Sequence, residues 1–223
     1  PPIGEASREP LRSSSSGPTR LLYTGTVSDK RGLSTMLDLA ATAQRRGRPE
    51  RLDLVGVCNR PEQRRGAERR IRREGLHRTV TWVGGDRYVL PSEMPPYYRR
   101  ADVGLCLCDP HPNLRESILT KFYEYLHYGL PIICSDVPLW RQFIEENECG
   151  VVVSPGTVTP VLNVLRRWRE HPDRYRRYVR NARAAAEKYR WEQMGARLVK
   201  LYRERLLPDE GTAAPPDPIG RGR

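Results

Sequence analysis

The chain has 223 residues, of which 38% are hydrophobic and 30% are charged, so its composition allows one large globular domain with flanking segments. It contains no run of eighteen or more apolar residues and no visible signal peptide, so we expect no membrane-spanning helix and a cytoplasmic location. The formal net charge is +12, but only four of the 39 basic residues are lysines, and the arginines are spread along every predicted helix. No basic patch is interleaved with aromatic residues that could stack on bases, so the pattern argues against a nucleic-acid partner. It favours solvated helix faces, with attraction to an anionic membrane surface or to phosphorylated substrates as the second interpretation.

The two ends of the chain have the composition of linkers. Residues 1–19 are rich in Pro, Ser and Gly, and the segment from Pro208 is similar, so we expect a linker or disordered segment over 1–19 and a disordered tail over 208–223. The folded domain is predicted to span residues 20–207. Because the first residue is Pro1 rather than Met, we also expect the natural chain to begin upstream.

Apolar runs alternate with helical patterns along the folded part. Strands are predicted at Arg20–Gly25, Leu52–Val57, Thr79–Val83, Val103–Leu107, Pro131–Cys134 and Val151–Val153. Helices are predicted from Leu33 to Ala43, and at Pro61–Glu74, Met94–Arg100, Ser117–Tyr128, Pro138–Asn147, 158–169, 172–189 and 191–206. This alternation predicts an α/β fold, a Rossmann-like doubly wound sheet of about six mostly parallel strands, whose ligands bind at the carboxyl ends of the strands.

Five cysteines occur, an odd number without a Cys-x-x-Cys pair: Cys58, Cys106, Cys108, Cys134 and Cys149. Three of them lie in apolar strand-like runs, where a free thiol behaves as a small buried hydrophobic group. Cys106 and Cys108 share a strand face, but no second pair of ligands is apparent, so we predict no metal site. The cysteine pattern fits a reducing compartment.

The segment from Asp109 to Asp136 carries the most informative polar pattern. We expect Ser117 to open a helix, on which Lys121 and Glu124 follow four and seven residues later and share its face. The first-turn amides of a helix can hold a diphosphate, Lys121 adds a positive charge, and a carboxylate can accept two hydrogen bonds from a ribose diol. The alternative interpretation is an ordinary solvated helix face.

The context of this helix favours the first interpretation. Glu116 and Glu124 are separated by seven residues, reading E-SILTKFY-E, and YLHYGLPIICSD follows. This pattern resembles the GT-B glycosyltransferases of family 4, and the Thr-Lys-aromatic variant resembles the branch that builds surface polysaccharides of the cell envelope. LLYTGTVSDKRGLSTMLDL, LDLVGV and VTWVGGDRYVLPSEMPPYYRRADVGLCL resemble other strands and helices of the same family. Together these segments extend the similarity over about residues 20–207.

The resemblance implies a set of site residues. The catalytic carboxylate is Glu116, and the donor-binding residues are Gly25, Thr26, Lys30, Arg31, Val83, Gly84, Ser117, Ile118, Leu119, Lys121 and Glu124. Within this set, the resemblance assigns Glu124 to the ribose hydroxyls and Glu116 to the sugar. Ser117 and the amides of Ile118 and Leu119 are assigned to the diphosphate, and Gly25 allows close approach of the ligand.

The resemblance assigns phosphate neutralisation and base binding to further residues. Arg31 matches the basic residue that neutralises the phosphates, but Thr26 stands where many members of the family have Arg. A second positive charge therefore has to come from Lys30 or Lys121. Val83 and Gly84 match the strand end near the base. His111 lies in the loop before Glu116, where a surface role and a contact with the sugar are both open.

The implied activity is retaining transfer of a hexosyl or N-acetylhexosaminyl group from a UDP-sugar or GDP-sugar to a polysaccharide or lipid-linked acceptor. No metal cofactor is expected, since the sequence has no Asp-x-Asp motif. A GT-B enzyme has a preceding acceptor domain, which these residues do not supply. The alternative is therefore a non-catalytic donor-binding fragment or subunit that needs a separate acceptor-domain chain. A sugar-nucleotide epimerase is a third reading, but the acidic and His residues that it requires are not clearly present.

Overall fold

A single parallel sheet organises the chain, as the sequence predicts. In the part of the chain that the structure describes, six strands lie in the order β3-β2-β1-β4-β5-β6, and every neighbouring pair is parallel. The strands are β1 (Arg20–Thr24), β2 (Arg51–Val55), β3 (Val80–Val83), β4 (Val103–Cys106), β5 (Ile132–Ser135) and β6 (Gly150–Val153). The order reverses between β1 and β4, so the topological switch point of the sheet lies between these two strands.

Helices connect the strands. The structure is a computed structural model that describes residues 17–109 and 111–206, so the predicted tail and all but the last three residues of the predicted linker lie outside the described residues. Described helices are α1 (Leu33–Arg45), α2 (Pro61–Arg73), α3 (Pro95–Arg100), α4 (Pro112–Arg115), α5 (Thr120–His127), α6 (Pro138–Asn147), α7 (Thr159–Glu170), α8 (Pro172–Lys188) and α9 (Trp191–Leu206). Short 3-10 helices cover Asp29–Arg31, Leu76–Arg78 and Pro91–Glu93.

The core explains why the strands read as continuous apolar runs. All residues of β4 and β5 are buried, as are four of the five residues of β1. A strand covered by helices on both faces has no solvated side, so the alternation of apolar and polar residues disappears. Burial of a large aliphatic side chain such as Leu21, Leu54 or Leu105 stabilises the fold by roughly 1.5–3 kcal/mol.

The chain divides into two compact units after Glu187. The first unit contains the sheet, and the second contains α9. Within the described part of the chain, every helix is too short or too polar to cross a lipid bilayer.

Tyr125 fixes α5 at the switch point. Its ring is fully buried, and its hydroxyl lies 3.1 Å from the carbonyl oxygen of Leu22 and 3.2 Å from that of Leu105. The same hydroxyl accepts a hydrogen bond from the amide of Thr24. A side chain on Gly104 would collide with this ring, because a Cβ there would lie 2.4 Å from it. Gly104 therefore lets α5 pack against β1 and β4 where the two strands pair.

Candidate functional site

A cavity of about 560 Å³ opens at the carboxyl edge of the sheet, at the switch point. Its wall is made by the loop after β1, the end of β2, the segment leading into α3, and the start of α5. This position is where open α/β sheets bind their ligands, and the volume is typical of a small-molecule site. The described lining residues are Tyr23, Thr24, Gly25, Thr26, Arg31, Val55, Gly56, Val57, Tyr88, Val89, Pro91, Met94, Pro95, Tyr98, Leu119, Thr120, Lys121, Glu124 and Tyr128.

A buried lysine is the most unusual feature of this cavity. Lys121, in the first turn of α5, is only 8% exposed, and its Nζ lies 3.7 Å from the centre of the Tyr23 ring. Burial lowers the pKa of this ammonium group. Among the described residues no carboxylate lies within ion-pair distance of Lys121, although the charge of Glu124 acts on it, and Arg31 lines the same cavity. Because a buried cation without a carboxylate is costly, the cavity is suited to an anion.

The positive charge of Lys121 also acts on two buried thiols, although burial raises the pKa of the first, Cys106. The Sγ atoms of Cys106 and Cys108 are 3.8 Å apart, and both side chains are buried. The hydrogen bond with Cys106 and the positive charges of Lys121 and Arg31 together lower the pKa of the Cys108 thiol to about 7, against the opposing effect of burial. Nearby cations favour the thiolate, so Lys121 and Arg31 contribute to the low pKa of Cys108 beside the hydrogen bond with Cys106.

Glu124 lies one turn further along α5 and is held from a second helix. The Tyr98 hydroxyl on α3 donates a hydrogen bond to Oε2 of Glu124, with an oxygen–oxygen distance of 2.5 Å. Burial raises the pKa of the Tyr98 phenol, and the charge of Glu124 raises it further, so the phenol keeps its proton. The cavity thus presents a carboxylate together with the two cations.

The helix that carries these groups begins later than the sequence indicates. The spacing predicts that Ser117 opens it, but α5 begins at Thr120, with Leu119 in an extended conformation before it. The Ser117 carbonyl instead accepts a 2.9 Å hydrogen bond from the indole nitrogen of Trp140, whose side chain is fully buried. This tertiary contact holds Ser117 outside the helix, so the amides at the start of α5 belong to Thr120 and Lys121.

The structure brings together six of the residues inferred from the sequence. The cavity-lining members of that set are Gly25, Thr26, Arg31, Leu119, Lys121 and Glu124. Six others lie outside the described lining: Lys30, Val83, Gly84, Glu116, Ser117 and Ile118. Of these, Lys30 is exposed on the 3-10 helix before α1, and Glu116 is exposed in the turn after α4. His111 is partly buried and does not line the cavity.

Sequence reasoning missed the aromatic part of the wall. Tyr23 belongs to a buried strand, so its pattern indicates only a core position, yet its ring lies under the ammonium of Lys121. Tyr98 and Tyr128 also line the cavity, and their rings are stacked 4.6 Å apart. The one sequence signal for these residues is that the segments meeting the carboxyl edge of the sheet are rich in Tyr. No spacing rule connects residues on different elements.

A family model and a relative of known activity both match this chain as a glycosyltransferase. The model of the family described as "Glycosyl transferases group 1" matches residues 8–185. Alpha-D-kanosaminyltransferase from Streptomyces kanamyceticus is 26% identical over 186 residues, which are 82% of this chain and 45% of that protein. This chain therefore spans about half the length of that relative.

Two solved structures share the fold. Sucrose-phosphate synthase from Thermosynechococcus elongatus superposes with a TM-score of 0.70 at 23% identity, over 85% of this chain and 46% of that chain. HepE from Anabaena, solved in complex with UDP-glucose, superposes with a TM-score of 0.69 at 16% identity. That match covers 84% of this chain and 49% of HepE. At these identities the similarity establishes the fold.

Proposed function

Because the chain belongs to the group 1 glycosyltransferases and has the Rossmann-like fold of a GT-B domain, we propose that its cavity binds a nucleoside-diphosphate sugar. The observation that carries this proposal is the buried Lys121 ammonium, which has no carboxylate partner among the described residues and shares its cavity with Arg31. Two cations in one cavity, one of them buried, match the charge of a diphosphate.

The second phosphate-binding cation is Lys121 rather than Lys30. Thr26 stands where many relatives of family 4 carry Arg, and it lines the cavity without a charge. Lys30 is exposed and lies outside the described lining, whereas Lys121 reaches the cavity from α5. The amides at the start of α5 add partial positive charge on the same side. The diphosphate is therefore held between the loop after β1 and the first turn of α5.

The remaining groups bind the ends of the donor. Glu124 accepts hydrogen bonds from the ribose hydroxyls, and Val83 and Gly84, at the end of β3, lie on the side of the base. Glu116 contacts the sugar from the turn after α4. In this assignment the chain has the Glu-x7-Glu pair of the family 4 enzymes, which retain the configuration of the transferred sugar.

Charge development explains how this cavity assists transfer. When the bond between the sugar and the diphosphate breaks, the departing diphosphate gains negative charge. Lys121 and Arg31 stabilise that charge, and this step requires no metal ion. The transferred group is a hexosyl or N-acetylhexosaminyl residue, and the acceptor is a polysaccharide or a lipid-linked sugar. Transfer by the whole protein is part of the proposal, because this chain spans about half of its relatives.

A thermal-shift screen tests the proposal directly. A ligand that binds only the native state raises its stability by RT ln(1 + [L]/Kd). UDP, GDP, UDP-glucose and a GDP-hexose are the probes, with uridine and UMP as controls that lack the diphosphate. UDP-glucose is the first donor to test because HepE, which shares the fold, was solved in complex with it. We expect at least one diphosphate to raise the melting temperature more than either control. Equal, unshifted temperatures for all probes would contradict the proposal.

Substitution of Glu124 and of Glu116 should have different effects on ligand affinity. We expect Glu124→Ala to weaken binding of both the nucleoside diphosphate and the nucleotide sugar by roughly 1.5–3 kcal/mol, the range for hydrogen bonds to a charged group. Glu116→Ala should spare the free diphosphate and weaken only the sugar-bearing donor. Isothermal titration of both variants with both ligands measures this difference. Unchanged affinities in all four titrations would leave both carboxylates as solvated surface groups.

A further inference from the structure

Tyr98 connects the short helix α3 to the proposed ribose-binding carboxylate. We propose that Tyr98 is a positioning residue, which fixes the Glu124 carboxylate for the ribose diol and thereby makes the site selective for ribonucleotides. The inference rests on the proposed function, because it deepens the role of Glu124 in the same cavity. It adds a residue that neither the sequence motif nor the comparisons with relatives identify.

The ring of Tyr98 is clamped by two aromatic side chains of the Glu124 region. It stacks on Tyr128 with a centroid distance of 4.6 Å and an interplanar angle of 7°. It also meets the ring of Tyr125 edge-on at 6.2 Å and 67°. Only 4% of the Tyr98 residue is exposed. These contacts fix the ring plane, and they fix where the phenolic oxygen lies relative to α5.

The hydroxyl then fixes the carboxylate. A Glu side chain on an open helix face samples many rotamers, and this conformational freedom must be lost before the side chain can bind a ligand. The hydrogen bond from Tyr98 to Oε2 of Glu124 selects one of them in advance. It occupies only part of the acceptor capacity of the carboxylate, so Oε1 and the remaining lone pair stay available for ribose hydroxyls.

The phenol also suits this role electrostatically. A neutral donor orients the carboxylate without cancelling its charge, whereas an Arg or Lys in the same place would neutralise it. Glu124 remains a charged acceptor that faces the cavity, in which Lys121 and Arg31 attract the phosphates. The site therefore places an anion toward the ribose and cations toward the diphosphate. Tyr98 holds that anion, the Glu124 carboxylate, in the orientation that the ribose hydroxyls require.

Tyr98→Phe removes the hydroxyl and retains the ring that packs against Tyr125 and Tyr128. Calorimetric titration with UDP and with 2′,3′-dideoxyuridine diphosphate, and with GDP and its dideoxy analogue as second probes, measures the ribose preference. The wild type should prefer the ribose form. We expect Tyr98→Phe to lose about 10-fold in affinity for the ribose form and to leave the dideoxy affinity unchanged, since the lost bond acts through the diol.

Two further variants separate positioning from general packing. Tyr97→Phe removes a hydroxyl from the neighbouring residue of the same helix, whose ring contacts Arg100, and it should leave both affinities unchanged. In a Glu124→Ala background, Tyr98→Phe should have no further effect on the ribose form, because the positioned group is gone.

The outcomes distinguish this inference from the proposed function. If neither UDP nor GDP binds the wild type, the proposed function fails and the role of Tyr98 fails with it. If the wild type binds and the ribose preference survives in Tyr98→Phe, only the positioning role is overturned. Equal losses for the ribose and dideoxy ligands would likewise overturn it, because they would show a general packing effect.

Discussion

Replacing Lys121 with methionine should weaken UDP binding about 100-fold and should stabilise the ligand-free protein. The binding loss corresponds to about 2.7 kcal/mol, within the range of hydrogen bonds to charged groups. The gain in the free energy of unfolding has a separate cause. Methionine fills the volume over Tyr23 without a buried charge, and replacement of buried ions by apolar groups is often neutral or stabilising by about 1–4 kcal/mol.

The pH dependence of that stability gain has a definite sign. Burial lowers the pKa of Lys121 in the folded state below its value in the unfolded chain. Between these two pKa values the unfolded chain binds more protons, so the stability of the wild type increases as the pH rises. The advantage of Lys121→Met over the wild type should therefore be fully present below the folded pKa and should decrease at higher pH. Urea unfolding at several pH values measures it.

Lys30→Met provides the matched control for this prediction. It removes the same charge from an exposed lysine outside the described lining of the cavity. We expect it to change UDP affinity by less than about twofold, because exposed charges are screened by salt. If both variants lose affinity equally, the cation effect is a general attraction. If Lys121→Met is less stable than the wild type, the ammonium contributes to the fold.

The fold could be predicted from the sequence because its signals are local. Each strand is a short apolar run, and all six strands appear close to their predicted bounds, whereas the short helix α4 was not predicted. The beginning of α5 could not be predicted in this way. It depends on the hydrogen bond between Trp140 and Ser117, which joins residues 23 positions apart. A local pattern contains no information on such a contact.

The residues of the candidate site, like the elements of the fold, could be predicted only where the signal is local. The common face of Lys121 and Glu124 follows from helical spacing, and both residues line the cavity. Their partners do not follow from spacing. Tyr23 comes from β1 and Tyr98 from α3, and they reach α5 only because the chain winds β1 next to β4. The resemblance to family 4 points to six residues that line the cavity, whereas only the packing shows which side chains support them.

Gly32→Ala should be the most destabilising of the substitutions considered, at about 3–5 kcal/mol, from left-handed backbone strain and a steric collision together. Gly32 precedes α1 with φ of 83° and ψ of 23°. A Cβ at this position would lie 1.9 Å from the carbonyl oxygen of Leu107, which belongs to the backbone just beyond β4. Backbone cannot move aside as the end of a flexible side chain can, so α1 and the end of β4 have to separate.

Gly47→Ala isolates the strain from the collision. Gly47 has a similar positive φ of 69°, but nothing lies within 4 Å of a Cβ placed there. This variant should lose only about 1 kcal/mol, the cost of placing Ala in the left-handed region. Urea unfolding with an unchanged m-value measures both losses. Equal losses at the two positions would mean that the approach of Gly32 to Leu107 has no energetic weight.

The same pair of variants connects the fold to the site. Arg31 directly precedes Gly32, at the end of the 3-10 helix Asp29–Arg31, and it lines the cavity. If the backbone at Gly32 is displaced from Leu107, Arg31 moves with it, and the proposed diphosphate site loses one of its two cations. We therefore expect the folded fraction of Gly32→Ala to bind UDP at least 10-fold more weakly than the wild type, the loss of about one charge-assisted hydrogen bond. Gly47→Ala should bind UDP normally, and normal binding by Gly32→Ala as well would show that Gly32 supports the fold without placing Arg31.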